Sequence, residues 1–224
     1  MTNQTTTQMD TLTLVLKRQV SMQQSQRFRI SDYSEDEVAK MLWECYKAEV
    51  NRRGVKFVAD SMTRERVRKA ATWLCSDHKP GLLLFGRVGS GKSTLARAIV
   101  CLINFLYDRY DLGPDKRRSV TTCSALDMSR LAVEDTGRIN QYKTTKMLFL
   151  DDVGVEPPEV KNWGNEYTPV VELLYARYDN QRFTIVTSNL RGDDFRQRYG
   201  DRIGDRMLEM YDTIEFSQTL SYRK

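Results

Sequence analysis

The chain has 224 residues and a formal net charge of +5, from 35 Lys and Arg against 30 Asp and Glu. That length holds one α/β domain with a sizeable extension and a real core, and it excludes a second large domain, while the mild positive excess leans toward an anionic partner. Cys45, Cys75, Cys101 and Cys123 form no C-x-x-C pair and His78 is the single histidine, which excludes a zinc-ligand spacing and leaves buried thiols in a reducing compartment as the expectation. The opening MTNQTTTQMD lacks a basic leader and no stretch approaches transmembrane length, so the expectation is a soluble, cytoplasmic protein with no membrane partner.

Residues 1 to 11 form a Thr/Gln-rich tail with little to bury and read as disordered. From Thr11 to Gln26 the apolar positions Leu12, Leu14, Val15, Leu16, Val20 and Met22 fit a strand or a helix, and the type stays open. Ser34-Glu35-Asp36-Glu37 has the form of a capping box. Val38, Met41, Leu42, Cys45 and Ala48 then share one helical face until Asn51-Arg52-Arg53-Gly54 ends the segment. That apolar face docks either on the core or on a partner. A second helix is expected from Thr63 to about Asp77, with Val67, Ala70, Ala71 and Leu74 inward and Arg64, Arg66, Arg68 and Lys69 outward, stopped by Pro80-Gly81.

Leu82 to Phe85 is an apolar run of strand character that empties into Gly86-Arg87-Val88-Gly89-Ser90-Gly91-Lys92-Ser93, a full match to G-x-x-x-x-G-K-[ST]. A helix pattern through Leu95, Ile99, Leu102, Ile103 and Leu106 follows at once. Strand, loop and helix in this order make a phosphate cradle: glycines let backbone N–H groups curl toward an anion, and the new helix aims its unpaired amides at the same point. Lys92 is placed for the outer phosphates, Ser93 for Mg²⁺, and Thr94 for a further phosphate contact.

Beyond a loop from Asp111 to Arg118, Val120 to Cys123 reads as a short strand and Ser124 as the cap of a helix reaching about Glu134. Met147 to Leu150 is a buried strand ending in Asp151-Asp152. An acid pair there looks like a Walker B element, with Asp151 for the metal and Asp152 for the attacking water. A helix is expected from Glu166 to Gln181, Pro169 lying in its first turn, with Val170, Leu173, Leu174 and Tyr178 inward. Phe183 to Thr187 is a further buried strand that terminates in Ser188-Asn189, and an Asn at that end can bond a water or a γ-phosphate. In Gly200 to Glu209, Arg202 and Arg206 share a helical face. Asp205 and Glu209 either satisfy them locally or leave one guanidinium for a nucleotide on an adjacent subunit. Ile214 to Phe216 is a last strand, followed by Ser221-Tyr222-Arg223.

This order of elements resembles the AAA+ ATPases, and within them the DnaC-type replicative helicase loaders and the similar IstB-type transposition ATPases. The residues that carry it are MLFLDDVG at 147 to 154, FTIVTSNL at 183 to 190, YGDRIGDRMLEM at 199 to 210 and SYR at 221 to 223, within a likeness covering about residues 55 to 224. The resemblance implies an α/β fold, the three-layer P-loop NTPase with strand order 5-1-4-3-2. The sensor strand then lies between the P-loop and double-Asp strands, and no C-terminal helical lid follows. It implies a helical N-terminal extension, residues 1–54, for a partner, ahead of an ATPase domain, residues 55–224. ATP and Mg²⁺ are the implied cofactors. Asn189 matches the first sensor, Arg206 the arginine finger acting in trans through self-association, Arg202 its neighbour, and Arg223 a stand-in for a second sensor. Asp152 departs from the glutamate of most AAA+ proteins, and its shorter reach implies slow hydrolysis, although loaders and IstB-type proteins often carry two aspartates there.

The function so implied is an ATPase that helps place a ring helicase on single-stranded DNA, with Arg130, Arg138, Lys143 and Lys146 as candidate phosphate contacts. A transposition helper that binds duplex DNA shares the same core. A nucleotide-gated adaptor with little hydrolysis is a third reading.

Overall fold

The computed structural model describes residues 9–19, 28–109, 119–162 and 165–216. In chain order the elements are α1 (9–19), α2 (Glu35–Arg52), α3 (Ser61–Cys75), β1 (Gly81–Gly86), α4 (Lys92–Arg109), β2 (Thr121–Ser124), α5 (Ala125–Glu134), α6 (Thr136–Thr144), β3 (Met147–Val153), β4 (Val160–Asn162), β5 (Asn165–Tyr167), α7 (Pro169–Asp179), β6 (Phe183–Ser188), α8 (Gly192–Tyr199), α9 (Asp201–Met210) and β7 (Tyr211–Phe216). The main sheet runs β2-β3-β6-β1-β7 with every neighbouring pair parallel. This is the expected 5-1-4-3-2 order, with the strand that ends in Ser188 between the P-loop strand and the double-Asp strand. β4 and β5 form a separate antiparallel pair.

Strand alternation divides the core into two layers. Leu82, Leu84, Phe149, Ile185, Ile214 and Phe216 face α2, α3 and α4, whereas Leu83, Leu148, Leu150, Val186 and Tyr211 face α5, α6, α7 and α9. Both faces of the sheet are therefore covered by helices, which is why these strands read as unbroken apolar runs. Helices begin where capping chemistry places them. Ser34 and Glu37 complete a capping box on α2, and Asp60 and Ser124 cap α3 and α5 with side-chain acceptors.

α2 packs on α3 and α4, with Val38, Leu42 and Tyr46 buried, so its apolar face belongs to the core. Ala48 is exposed and Glu49 is buried in its place. Residues 9–19 are helical, with Leu12, Leu14, Val15 and Leu16 exposed. Among the described residues no helix is long and apolar enough to cross a membrane.

Several local expectations are corrected. α7 starts at Pro169 rather than Glu166, because proline suits the first helical position and pushes its predecessor toward extended backbone; Asn165–Tyr167 pairs with β4 instead. Arg66 is buried, its guanidinium 4.3 Å above the Phe216 ring, so it does not join the outward basic cluster. Only Cys123 of the four thiols is buried, and burial pushes it up to about 12; Cys45 and Cys75 are half-buried and Cys101 is exposed on α4. The helix α8 has no counterpart among the elements expected from the sequence. Residues 1–8, Val20 and Met22, the Asp111 to Arg118 loop and Ser221-Tyr222-Arg223 lie outside the described residues.

One buried cation organises the second layer. Arg177, fully buried on α7, donates to the carbonyls of Tyr142 (2.9 Å), Thr145 (3.0 Å) and Phe183 (2.6 Å) and to Thr184 Oγ1 (2.6 Å). It ties the end of α6 to the start of β6. Burial pulls its guanidinium down to about 10, which keeps it charged at neutral pH.

Candidate nucleotide site

β1 delivers the chain to Gly86, whose φ is +136° and where an added Cβ would lie 2.7 Å from the Phe216 carbonyl carbon. No side chain fits there. Gly89 and Gly91, with φ of 77° and 97°, carry the loop round to the first residue of α4. Ser90 is buried and its hydroxyl donates to the Arg87 carbonyl at 2.7 Å, closing the loop on itself. Lys92 is buried as well. Its Nζ donates to the carbonyls of Gly86 and Arg87, each at 2.8 Å, and to Asn189 Oδ1 at 2.9 Å. The loop lysine and the strand-end asparagine, read from separate parts of the sequence, thus touch.

The acids follow from a shift in register. β3 and β6 pair in step through Leu150 and then resume at Val153 with Ser188, so the alternation breaks across Asp151-Asp152. Asp151 is turned inward and buried, whereas Asp152 takes φ +57° and is exposed. Asp151 Oδ1 accepts from Ser93 Oγ at 2.7 Å and from Thr187 Oγ1 at 2.5 Å, and its Oδ2 accepts from Arg97 at 3.1 Å. The Asp152 amide donates to Thr187 Oγ1 at 2.8 Å. Beyond it, the Gly154 amide donates to Glu156 Oε2 at 2.8 Å, and buried Glu156 also receives the Tyr199 hydroxyl. Burial and the Glu156 carboxylate push the Tyr199 phenol well above its ordinary value, so it stays protonated as a donor.

The loop and the two strand ends edge a cavity of about 640 Å³, with Asp151 just behind its lining residue Ser93. Val88 to Thr94, Asp152 and Asn189 form one end; Tyr46 and Val50 of α2, with Arg53, Val55 to Val58 and Thr63, form the other. One end is a ring of backbone amides, a lysine and a carboxylate, and the other is largely apolar and aromatic. Such a site suits a ligand with an anionic and an apolar part. Ser93 and Asp151 offer a hydroxyl and a carboxylate in contact, both hard oxygen donors. No group of three or more His, Cys, Asp or Glu side chains suited to a metal occurs among the described residues. A cation held here would complete its shell with phosphate oxygens and water, the habit of Mg²⁺, so the residues fit that ion.

Other candidates lie apart. Arg206 is not in the cavity lining: its guanidinium stacks 4.4 Å from the Tyr175 ring and 4.5 Å from the Tyr178 ring, and meets Asp179 at 3.6 Å. Neither Asp205 nor Glu209 satisfies Arg202 or Arg206 locally, since Asp205 pairs with Arg196 and Glu209 accepts from the Tyr178 hydroxyl. Arg223 lies outside the described residues. Of the basic candidates for nucleic acid, Lys143 is paired with Glu172 at 2.8 Å and exposed Arg130 meets Asp127 at 3.9 Å, while Arg138 and Lys146 are exposed. The sequence reading missed Thr187, Arg97 and the α2 wall of the cavity. A threonine next to Ser188-Asn189 at an apolar strand's end was the available signal for the first. The other two carried none, because their roles depend on packing across the chain.

No family model matches the sequence, and no curated protein does. Among solved structures, that of the DnaC helicase loader is similar with a TM-score of 0.53 and 19% identity, over 72% of this chain and 94% of that one. The DnaI structure gives a TM-score of 0.55 and 20% identity, over 75% and 88%. The chain shares the three-layer α/β P-loop fold of these structures. At this identity the likeness speaks for the fold, and in that fold the cavity at the carboxyl ends of β1, β3 and β6 is where open α/β sheets hold ligands.

Proposed function

We propose that the cavity binds ATP with Mg²⁺ and that the chain is a slow AAA+ ATPase acting as a DnaC-type helicase loader on single-stranded DNA in the cytoplasm. The observation that carries this reading is the convergence on one cavity of the P-loop and of Lys92 with Asn189, with buried Asp151 bonded directly to Ser93 of the cavity lining. In this reading the loop amides of Gly89 to Thr94 bind the phosphates, and Lys92 exchanges its loop carbonyls for the outer phosphate oxygens. Asn189, released from Lys92, bonds the γ-phosphate or a water. Ser93 and Asp151 hold Mg²⁺, which when bound supplies positive charge to the phosphate oxygens. Asp152, exposed at the cavity edge, orients the attacking water. Arg206, turned away from its own cavity, serves the site of a neighbouring copy, and Arg223 acts as a second sensor.

Residues 55–224 are the ATPase domain in this reading and residues 1–54 carry the contact with a ring helicase. The exposed apolar side chains of α1 support that role, while α2, packed on α4 and lining the cavity, joins the two.

Fluorescent MANT-ATP titration tests the nucleotide site. Wild type is expected to bind with Mg²⁺ present and Lys92→Ala to lose binding; equal binding by both removes the P-loop reading. Anisotropy of a labelled single-stranded oligonucleotide across a salt series tests the second half. Affinity falling steeply with salt is expected, and a flat response, or no binding with ATP present, removes the DNA role.

A further inference from the structure

Arg97 stands between two carboxylates from distant parts of the chain. One guanidinium nitrogen donates to Asp151 Oδ2 at 3.1 Å and the other lies 3.6 Å from Glu49 Oε1. Both carboxylate side chains are only 9% exposed. Glu49 is a buried acid on α2, where charge is tolerated only with partners. It has Arg52 at 2.8 and 2.9 Å and Arg53 at 3.4 Å besides Arg97. The Arg52 hydrogen bond first, then the charges of Arg52, Arg53 and Arg97, hold its carboxyl below the usual range, so it is ionised. The same stretch places Tyr46 and Val50 of α2, and Arg53 immediately after it, in the cavity wall.

We propose that Arg97 is a positioning residue shared between Asp151 and Glu49, through which the seat of α2 and occupancy of the metal end of the nucleotide site are coupled. The proposal rests on the nucleotide reading of the cavity. Oδ1 of Asp151 is already taken by Ser93 and Thr187, so its free capacity toward a cation lies where Arg97 sits. A guanidinium beside a divalent cation is repelled, and the carboxylate left to receive Arg97 is Glu49. Arg97 drawn to Glu49 fastens α2 to α4 and closes the cavity wall. Conversely, a pull on α2 that takes Glu49 away returns Arg97 to Asp151 and disfavours the metal. Such reciprocity is what linkage between two sites requires.

The test is a Mg²⁺ titration of MANT-ATP binding by wild type, Glu49→Gln, Arg97→Gln, Arg97→Lys and the Glu49→Gln/Arg97→Gln double variant. Glu49→Gln is expected to raise the half-saturating Mg²⁺ about threefold to tenfold, and to do so by less than about 1.5-fold once Arg97 is Gln. Arg97→Lys keeps part of the dependence on Glu49, and nucleotide affinity in EDTA moves less than about twofold in every variant. Equal effects of Glu49→Gln in both backgrounds, with MANT-ATP binding intact, overturn the coupling alone. No MANT-ATP binding by wild type overturns the reading of the cavity and the coupling with it. Amide exchange over residues 46–53 is the second measurement: it slows when Mg²⁺ joins the nucleotide in wild type and does not in Arg97→Gln. The same slowing in both overturns the proposal even if Glu49→Gln fails to fold.

Discussion

The hydroxyl of Thr187 donates to Asp151 Oδ1 at 2.5 Å while accepting from the amide of the next acid at 2.8 Å. One side chain on β6 therefore fixes both the inward turn of Asp151 and the outward turn of Asp152. Thr187→Val keeps the shape and removes both bonds, leaving a buried carboxylate with one hydroxyl fewer and an amide without its acceptor. The expected loss of stability is about 1–3 kcal/mol in urea unfolding. Mg²⁺-dependent hydrolysis should fall with it, and Thr187→Ser should retain both properties.

Arg206 is held on its own chain by two tyrosine faces and Asp179, all partly exposed to solvent. Arg206→Ala should lower stability by only about 1 kcal/mol. MANT-ATP binding should persist, and turnover should lose its rise with protein concentration. A variant that turns over normally at every concentration would rule out the shared site.

Arg177 makes four hydrogen bonds at zero exposure, so its removal takes a donor from three carbonyls in the core and from the Thr184 hydroxyl, which keeps its bond to the Arg182 carbonyl. Arg177→Met should cost on the order of 3–5 kcal/mol in denaturant unfolding. Arg177→Lys should recover only part of this, because an ammonium lacks the planar spread of donors that reaches α6 and β6 together.

Acid should act on Glu49. Its folded carboxyl is held below the ordinary value of 4.5, chiefly by Arg52. A depressed acid contributes stability above its unfolded value and loses it as pH falls through the folded one. The difference in stability between wild type and Glu49→Gln should therefore be constant near neutrality and shrink as pH drops below about 4.5. A difference that does not change down to acid unfolding would show that Glu49 contributes by packing rather than charge.

The sequence by itself determined the elements whose causes are local. Leu82 to Phe85 and Met147 to Leu150 are apolar throughout and could only be buried strands, Ser34 and Ser124 announce their helices, and glycines at 86, 89 and 91 permit a loop that few other residues could follow. Lys92, Ser93, Asp151 and Asn189 were legible because each sits at the end of such an element, where a sheet presents its polar groups. Tertiary structure alone decided what those groups touch. Thr187 beneath both acids, Arg97 between Asp151 and Glu49, Arg177 inside the second layer and the α2 wall of the cavity all join residues distant in the chain. A polar side chain is buried only when partners from other elements satisfy it, and periodicity along one element carries no information about those partners.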